Sequence, residues 1–358
     1  MNTPSEVAVS DDFAATLVRW QRLHGRHDLP WQTADAYGVW VSEIMLQQTQ
    51  VQTVIGYYGR FIERFPTLAA LAAADEATVM ENWSGLGYYA RARNLHRAAR
   101  EVMTRFGGRF PSTVEDIESL PGIGRSTASA IATFCFGAHA PILDGNVKRV
   151  FARVFGIDGF PGTRAVEPRM WALAHALMPT RDGGVYTQAL MDLGATVCTR
   201  NRPRCDACPV AARCEARLQG RQRELPSPRP AKLRPQRLRH ALLVTTPDAV
   251  LLERRPGHGI WGGLLSLPEL AAQTLPEALN EAAQWLASHG IAGRAVQTMA
   301  PVIHGFTHFE LHLVPLRVAV DARSAFAAES SLLWQPLADA TSAALPAPVR
   351  RLLESLDD

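Results

Sequence analysis

Four of the chain's five cysteines fall between positions 198 and 214, in the spacing Cys198-x6-Cys205-x2-Cys208-x5-Cys214. Nothing else in the sequence restricts the fold so sharply. An intracellular chain is not expected to pair these thiols as disulfides, so they read as ligands of a shared centre. Their spacing suits zinc or an iron–sulfur cluster and does not separate the two. Between the first two ligands lie Arg200, Arg202, Pro203 and Arg204, a basic, turn-rich loop anchored at both ends. The fifth, Cys135, sits alone in an apolar helical stretch and reads as a small core residue.

At 358 residues the chain has room for two domains with their own cores. A net charge of +3 is too mild to attract nucleic acid by itself, so any such surface must come from local clustering. Residues 200 to 239 supply one, with 12 Lys and Arg against the three acids Asp206, Glu215 and Glu224. The N-terminus lacks a basic segment followed by an apolar run, and no stretch approaches the roughly 18 apolar residues of a membrane span. Those absences point to a cytoplasmic protein and against a membrane one.

The first 215 residues carry helical periodicity and no period-2 alternation. An amphipathic helix is expected over 11–24. Apolar positions 41, 44, 45, 51, 54, 55 and 58 predict one helix over 38–60, with Glu43 off its buried stripe. Alanine-rich helices follow over 67–81 and 90–106. Between them, Trp83 to Asn94 sets Gly85 and Gly87 beside Tyr88, Tyr89, Arg91 and Arg93, a turn that can present aromatic and cationic groups to nucleic acid. Next, Leu120-Pro121-Gly122-Ile123-Gly124 cannot continue a helix and forces a tight turn between two helical stretches. The bare amides of such a hairpin can grip a phosphate. Asp144 follows beside Gly145, and helices are expected near 164–178 and 185–197.

Prolines 226, 228, 230 and 235 mark 221–238 as an extended linker. Beyond it the pattern changes. Residues 241–246 and 249–253 read as a β-hairpin across Pro247-Asp248, 275–289 as a helix, and 311–320 and 332–337 as strands. The expected fold is thus multidomain, an all-α domain over 1–220 and an α+β domain over 239–358.

Several ordered motifs agree with one known family. Ser42-Glu43-Ile44-Met45-Leu46-Gln47-Gln48-Thr49-Gln50-Val51, the Gly85 to Asn94 turn and the Leu120 to Ser126 hairpin resemble the MutY family of adenine DNA glycosylases. So do Leu143-Asp144-Gly145-Asn146-Val147-Lys148-Arg149 and the four-cysteine spacing. That family lies within the helix–hairpin–helix superfamily. The resemblance runs from about residue 11 to 215 and continues more weakly over the C-terminal domain. It implies a [4Fe–4S] cluster at Cys198, Cys205, Cys208 and Cys214, and base-excision repair of adenine opposite 8-oxoguanine or guanine in duplex DNA.

The implied chemistry explains the residue types. Adenine must leave the stack before a side chain can reach its glycosidic bond. It departs poorly unless protonated, which calls for a carboxylic acid kept neutral by a shielded pocket, Glu43 by resemblance. The sugar then develops oxocarbenium character, which Asp144 can stabilise or capture, with Asn146 orienting Asp144 and water. Gln48 and Tyr88 would enter the duplex around the mispair. Trp31 and Gln188 would line the adenine pocket. Gly122 and Gly124 would hold a backbone phosphate, with a monovalent cation at the hairpin, and Ser126 and Lys148 would also lie against DNA. Bifunctional relatives of the endonuclease III type carry a nucleophilic lysine where this chain has Ser126, so a monofunctional enzyme is expected.

In the C-terminal domain, Trp261 to Pro268 resembles a Nudix-like module. Glu277 and Glu281 lack the spacing of its magnesium-binding helix, so nucleotide hydrolysis is not expected. Phe306, Thr307 and His308 resemble the loop that reads 8-oxoguanine, whereas a metal site at His304, His308 and His312 is disfavoured for want of an acidic partner. The resemblance implies a monomeric, nucleoid-associated bacterial enzyme. Two other readings stay open from sequence: a bifunctional endonuclease III-like glycosylase/lyase, and a non-catalytic DNA-binding relative.

Overall fold

The computed structural model describes residues 4–230, 234–257, 259–292, 296–306, 308–324, 331–341 and 343–356. The chain forms two compact units, one of residues 1–73 and 94–231, the other of residues 74–93 and 232–358. The Tyr88 turn therefore clusters with the C-terminal unit, although its helical pattern assigns it to the first domain.

The first unit is helical. It begins with α1 (Pro4–His24), α2 (Ala36–Leu46), α3 (Val51–Arg64) and α4 (Leu68–Ala73), and resumes in α6 (Ala90–Arg105) after α5 (Glu76–Asn82) of the second unit. The apolar stripe over 38–60 suggests a single helix, but the structure breaks it at Gln47–Gln50, where Gln48 takes a left-handed φ of 59°. The 67–81 stretch is likewise two helices, divided where Asp75 caps α5 by accepting from the Thr78 amide at 2.8 Å. Beyond them lie α7 (Val114–Glu118), α8 (Arg125–Phe136), α9 (Gly145–Val154), α10 (Glu167–Leu177), α11 (Gly183–Asp192) and α12 (Glu215–Leu218).

Directly after α11, Leu193–Val197 widens into a π-turn, with the Cys198 amide donating to the Leu193 carbonyl at 2.7 Å. Phe13, Leu17, Val147, Phe151, Met170, Tyr186, Leu190 and Leu193 share one core, which puts α1, α9, α10 and α11 around a common centre. Leu225 joins that core at 1% exposure, Arg153 donates to its carbonyl at 2.8 Å, and Ser227 accepts from the Gly159 amide at 3.1 Å. The first part of the expected extended linker is therefore docked on the helices. Polar main chain that lacks regular partners is satisfied there by side chains.

The second unit is built on one mixed sheet of β1 (Gln236–Thr245), β2 (Ala249–Arg254), β3 (Leu265–Ser266), β4 (Glu269–Leu270), β5 (Gln297–Thr298), β6 (Val302–Gly305), β7 (Glu310–Ala319) and β8 (Leu332–Pro336). Its spine is the parallel pair β1–β7, in register from Gln236–Glu310 to Thr245–Ala319. The expected hairpin is present as β1–β2, antiparallel at Thr245–Val250. One face packs on α13 (Leu275–Ser288) through Leu242, Val244, Ala278 and Ala282. The other packs on α15 (Ala347–Glu354), behind the short α14 (Leu337–Ala340), through Leu243, Leu311, Val349 and Leu353. The short strands β3, β4 and β5 escaped sequence reading because so few residues cannot display a period. Among the described residues no helix is long and apolar enough to cross a membrane.

Candidate active site

A cavity of about 470 Å³ opens in the helical unit between α1, α2 and α11. Trp31, Val39, Leu46, Val51, Phe134, Val185 and Met191 give it apolar walls, with Glu43 and Gln188 set among them. Trp31 is 7% exposed and braced edge-on by Tyr58, ring centroids 5.4 Å apart. Arg22, Arg26 and His27 also line the cavity, and sequence reading missed them: they sit where α1 ends, in no recognisable motif.

Glu43 projects from the middle of α2, whose neighbours Val39, Trp40, Val41, Ile44 and Met45 are buried. Removal from water raises its carboxyl to about 8, and the negative charge of Asp144 adds to the rise. At neutral pH Glu43 is thus mostly protonated, whereas a solvated helix carboxylate would be ionised.

Asp144 caps α9, its Oδ1 accepting from the Val147 amide at 2.8 Å. Burial raises its carboxyl too, opposed by the Val147 and Asn146 amides and by the Arg149 and Lys148 charges. The pair is therefore asymmetric: only Asp144 receives helix-terminal amides and nearby cations, so Asp144 is the better site for the negative charge. Ser126 supports this arrangement, since its hydroxyl accepts from the amide of Leu143, the residue just before Asp144, at 3.0 Å. Asn146 contributes to Asp144 through its backbone. Its side-chain oxygen instead takes a 2.8 Å bond from Arg149. Gly194, in the π-turn, allows that packing: a Cβ there would lie 2.6 Å from the Asn146 Cβ.

The hairpin is formed as its residues require. Gly122 has φ of 79°, and an added Cβ would meet the Asn94 Cβ at 2.7 Å. Gly124 caps α8 without a side-chain hydrogen bond, which leaves first-turn amides available to an anion. Lys148, expected against DNA, is paired with Glu167 at 2.6 Å in this structure. Gln48 and Tyr88 are both exposed and both hold left-handed backbone, with φ of 59° and 50°. Strain at two polar-tipped side chains facing solvent is the kind retained for contact with a partner.

The four clustered cysteines line a single cavity with Val150, Arg153, Val197 and Pro203. The basic arm of α9 holds this loop: Arg149 donates to the Cys198 carbonyl at 2.8 Å, and Arg153 to the Cys198 sulfur at 3.4 Å and the Thr199 carbonyl at 2.7 Å. Arg204 is folded back onto the Thr196 carbonyl at 2.7 Å. A sulfur-only donor set around one space suits an iron–sulfur cluster, as it does a four-cysteine zinc site. One helix thus joins the two centres, with Asp144 at its start and the cysteine loop along its side.

In the second unit, Phe306 stacks on Phe309 with centroids 4.5 Å apart and contacts the Trp261 and His304 rings, while His308 is exposed. Thr307 lies outside the described residues. The expectation that the histidines lack an acidic partner is corrected by Glu310, whose Oε1 lies 2.7 Å from His312 Nε2. His304 contacts the Trp261 and Phe306 rings. Glu277 closes a capping box with Thr274, and Glu281 accepts from the Ala271 and Ala272 amides at 2.9 and 2.8 Å.

Comparison with known proteins agrees with this geometry. Residues 41–175 match the model of the HhH-GPD superfamily of base excision DNA repair proteins, and residues 240–355 match a NUDIX domain. A thermostable thymine-DNA glycosylase superposes with a TM-score of 0.54 at 27% identity, over 60% of this chain and 98% of that one. Endonuclease III in a non-covalent DNA complex has a TM-score of 0.52 at 18% identity, a likeness of fold alone. An adenine DNA glycosylase of Buchnera aphidicola from Acyrthosiphon pisum is 34% identical over 96% of this chain and 97% of its own length. The mouse adenine DNA glycosylase is 34% identical over 99% of this chain and 79% of its own. With the paired carboxylates, the glycine hairpin and the sheet unit all inside the span shared with those two relatives, the chain belongs to the adenine DNA glycosylase family.

Proposed function

We propose that the protein hydrolyses the N-glycosidic bond of adenine opposite 8-oxoguanine or guanine in duplex DNA. The observation that carries this reading is a Glu43 carboxyl raised to about 8 in a largely apolar cavity, with Asp144 near enough to add to the rise. Glu43 donates its proton to a ring nitrogen of the flipped adenine as the C1′–N9 bond breaks. Asp144, whose negative charge is favoured by helix-terminal amides, meets the positive charge developing on the sugar. Water adds to C1′ and gives up its proton, which returns to the Glu43 carboxylate, leaving free adenine and an abasic site. The apolar side chains around Glu43 disfavour its ionised form.

Ser126 provides no amine for attack on the sugar, and the Lys148 ammonium is engaged by Glu167 at 2.6 Å, so release without strand cleavage is the expected outcome. Gln48 and Tyr88 fill the space vacated by the flipped base, and the Gly122–Gly124 hairpin grips the backbone. Cys198, Cys205, Cys208 and Cys214 would hold a [4Fe–4S] cluster, which would tie the ends of the basic loop together beside α9, whose Arg149 and Arg153 already bond to Cys198. Phe306, Thr307 and His308 read the 8-oxoguanine strand.

Single-turnover release from duplexes with adenine opposite 8-oxoguanine, guanine, cytosine or thymine tests the proposal. Release is expected to be fastest opposite 8-oxoguanine, then guanine, and absent from Glu43→Gln, which retains duplex binding. Equal rates opposite all four bases, or full activity in Glu43→Gln, would overturn it. An iron content of about four per chain checks the cluster.

A further inference from the structure

Beneath the cavity floor lies a buried carboxylate that the chemistry above does not use. Asp192, 1% exposed, is the last residue of α11. Its Oδ2 accepts from the Arg26 amide at 2.9 Å. Its Oδ1 receives Arg26 Nε at 2.8 Å, an Arg26 terminal nitrogen at 2.7 Å and Gln188 Nε2 at 2.8 Å. Gln188 and Asp192 share a helix face at i and i+4.

This network fixes the polarity of an amide. A carboxylate oxygen that already takes guanidinium protons can only accept, so Gln188 must turn its NH2 group toward it. The Gln188 oxygen is then the end left for the cavity that Gln188 lines. An acceptor there complements the exocyclic amine of adenine and opposes the carbonyl of a 6-oxopurine. We infer that Asp192 is a specificity-positioning residue, which locks Gln188 as an acceptor and so selects 6-aminopurines over 6-oxopurines.

The inference deepens the adenine-release reading and rests on it. Reversing the amide would place a donor where the base also donates, and sites built on one buried hydrogen bond discriminate strongly against mismatched analogues. Rotation of an unanchored Gln188 needs no backbone change. Asp192 therefore acts on selectivity without touching the base.

The test uses the full-length protein and duplexes carrying adenine, purine or hypoxanthine at one site opposite guanine. In Asp192→Asn the Gln188 amide can turn over, so the adenine-to-hypoxanthine rate ratio should fall at least about tenfold. Gln188→Leu should lower the adenine-to-purine ratio by a similar factor, and adding Asp192→Asn to it should change that ratio no further. An Asp192→Asn variant that loses rate equally on all three bases overturns the inference in favour of a merely structural role. If that variant does not fold, Gln188→Leu decides alone, because it leaves the Arg26–Asp192 pair intact, and an unchanged ratio overturns the inference. A parent protein that releases no adenine would sink the underlying reading, which is a distinguishable result.

Discussion

Replacing Glu43 by glutamine should stabilise the protein while abolishing its chemistry, and the gain should grow with pH. Glu43 ionises near 4.5 when solvated and at about 8 in the fold. A raised carboxyl favours the folded state only while protonated. Its contribution is thus fully present below about pH 4.5, declines as pH rises and levels off above about 8. Each tenfold change in an ionisation equilibrium corresponds to about 1.4 kcal/mol. The ionisation penalty carried by the native fold is therefore below about 1 kcal/mol at pH 5, about 3 at pH 7, and approaches about 5 at pH 9. Glutamine keeps the shape and does not ionise, so it escapes this penalty. Urea unfolding of both proteins at pH 5, 7 and 9 measures the difference directly. Asp144→Asn should reduce the slope, since the Asp144 charge is part of the cause. A stability difference that does not change with pH would mean that Glu43 is ionised in the fold at neutral pH. The acid role would then be lost with it.

Four further outcomes are expected. Single-turnover adenine release should fall as pH rises through about 8, the range in which Glu43 loses its proton, and a flat profile up to pH 9 would contradict the assignment. Asp144→Asn retains an oxygen to cap α9, so its melting temperature should stay within a few degrees of the parent while release drops at least about a hundredfold. Ser126→Ala leaves the Leu143 amide without its 3.0 Å partner and should cost about 1 kcal/mol in unfolding free energy while slowing release. Gly122→Ala combines a φ of 79° with a Cβ 2.7 Å from that of Asn94, so it should weaken duplex affinity and lower stability by about 1–3 kcal/mol, read by fluorescence anisotropy and urea unfolding.

Motifs whose meaning is local were legible in the chain. Gly122 and Gly124 announce the hairpin because backbone sterics permit few other residues there. The cysteine spacing announces a common centre because short loops return their ligands to one place, and the periodicity change near residue 240 announces the second unit. The break at Gln47–Gln50 was hidden, since apolar spacing continues across it and only the strained Gln48 backbone reveals it. The Lys148–Glu167 pair was equally hidden, since only the fold brings α10 beside α9. The acidity of Glu43 is likewise a tertiary property: its helix neighbours mark a buried segment, but the raised carboxyl depends on walls from Trp31, Phe134 and Val185 and on the charge of Asp144. Asp192 is the clearest case, invisible as one aspartate at a helix end, yet joined in the fold to Arg26, 166 residues away. The sequence by itself determined which groups were available. Tertiary structure decided their protonation, pairing and polarity, because desolvation and Coulomb energy depend on distances that only the folded chain defines.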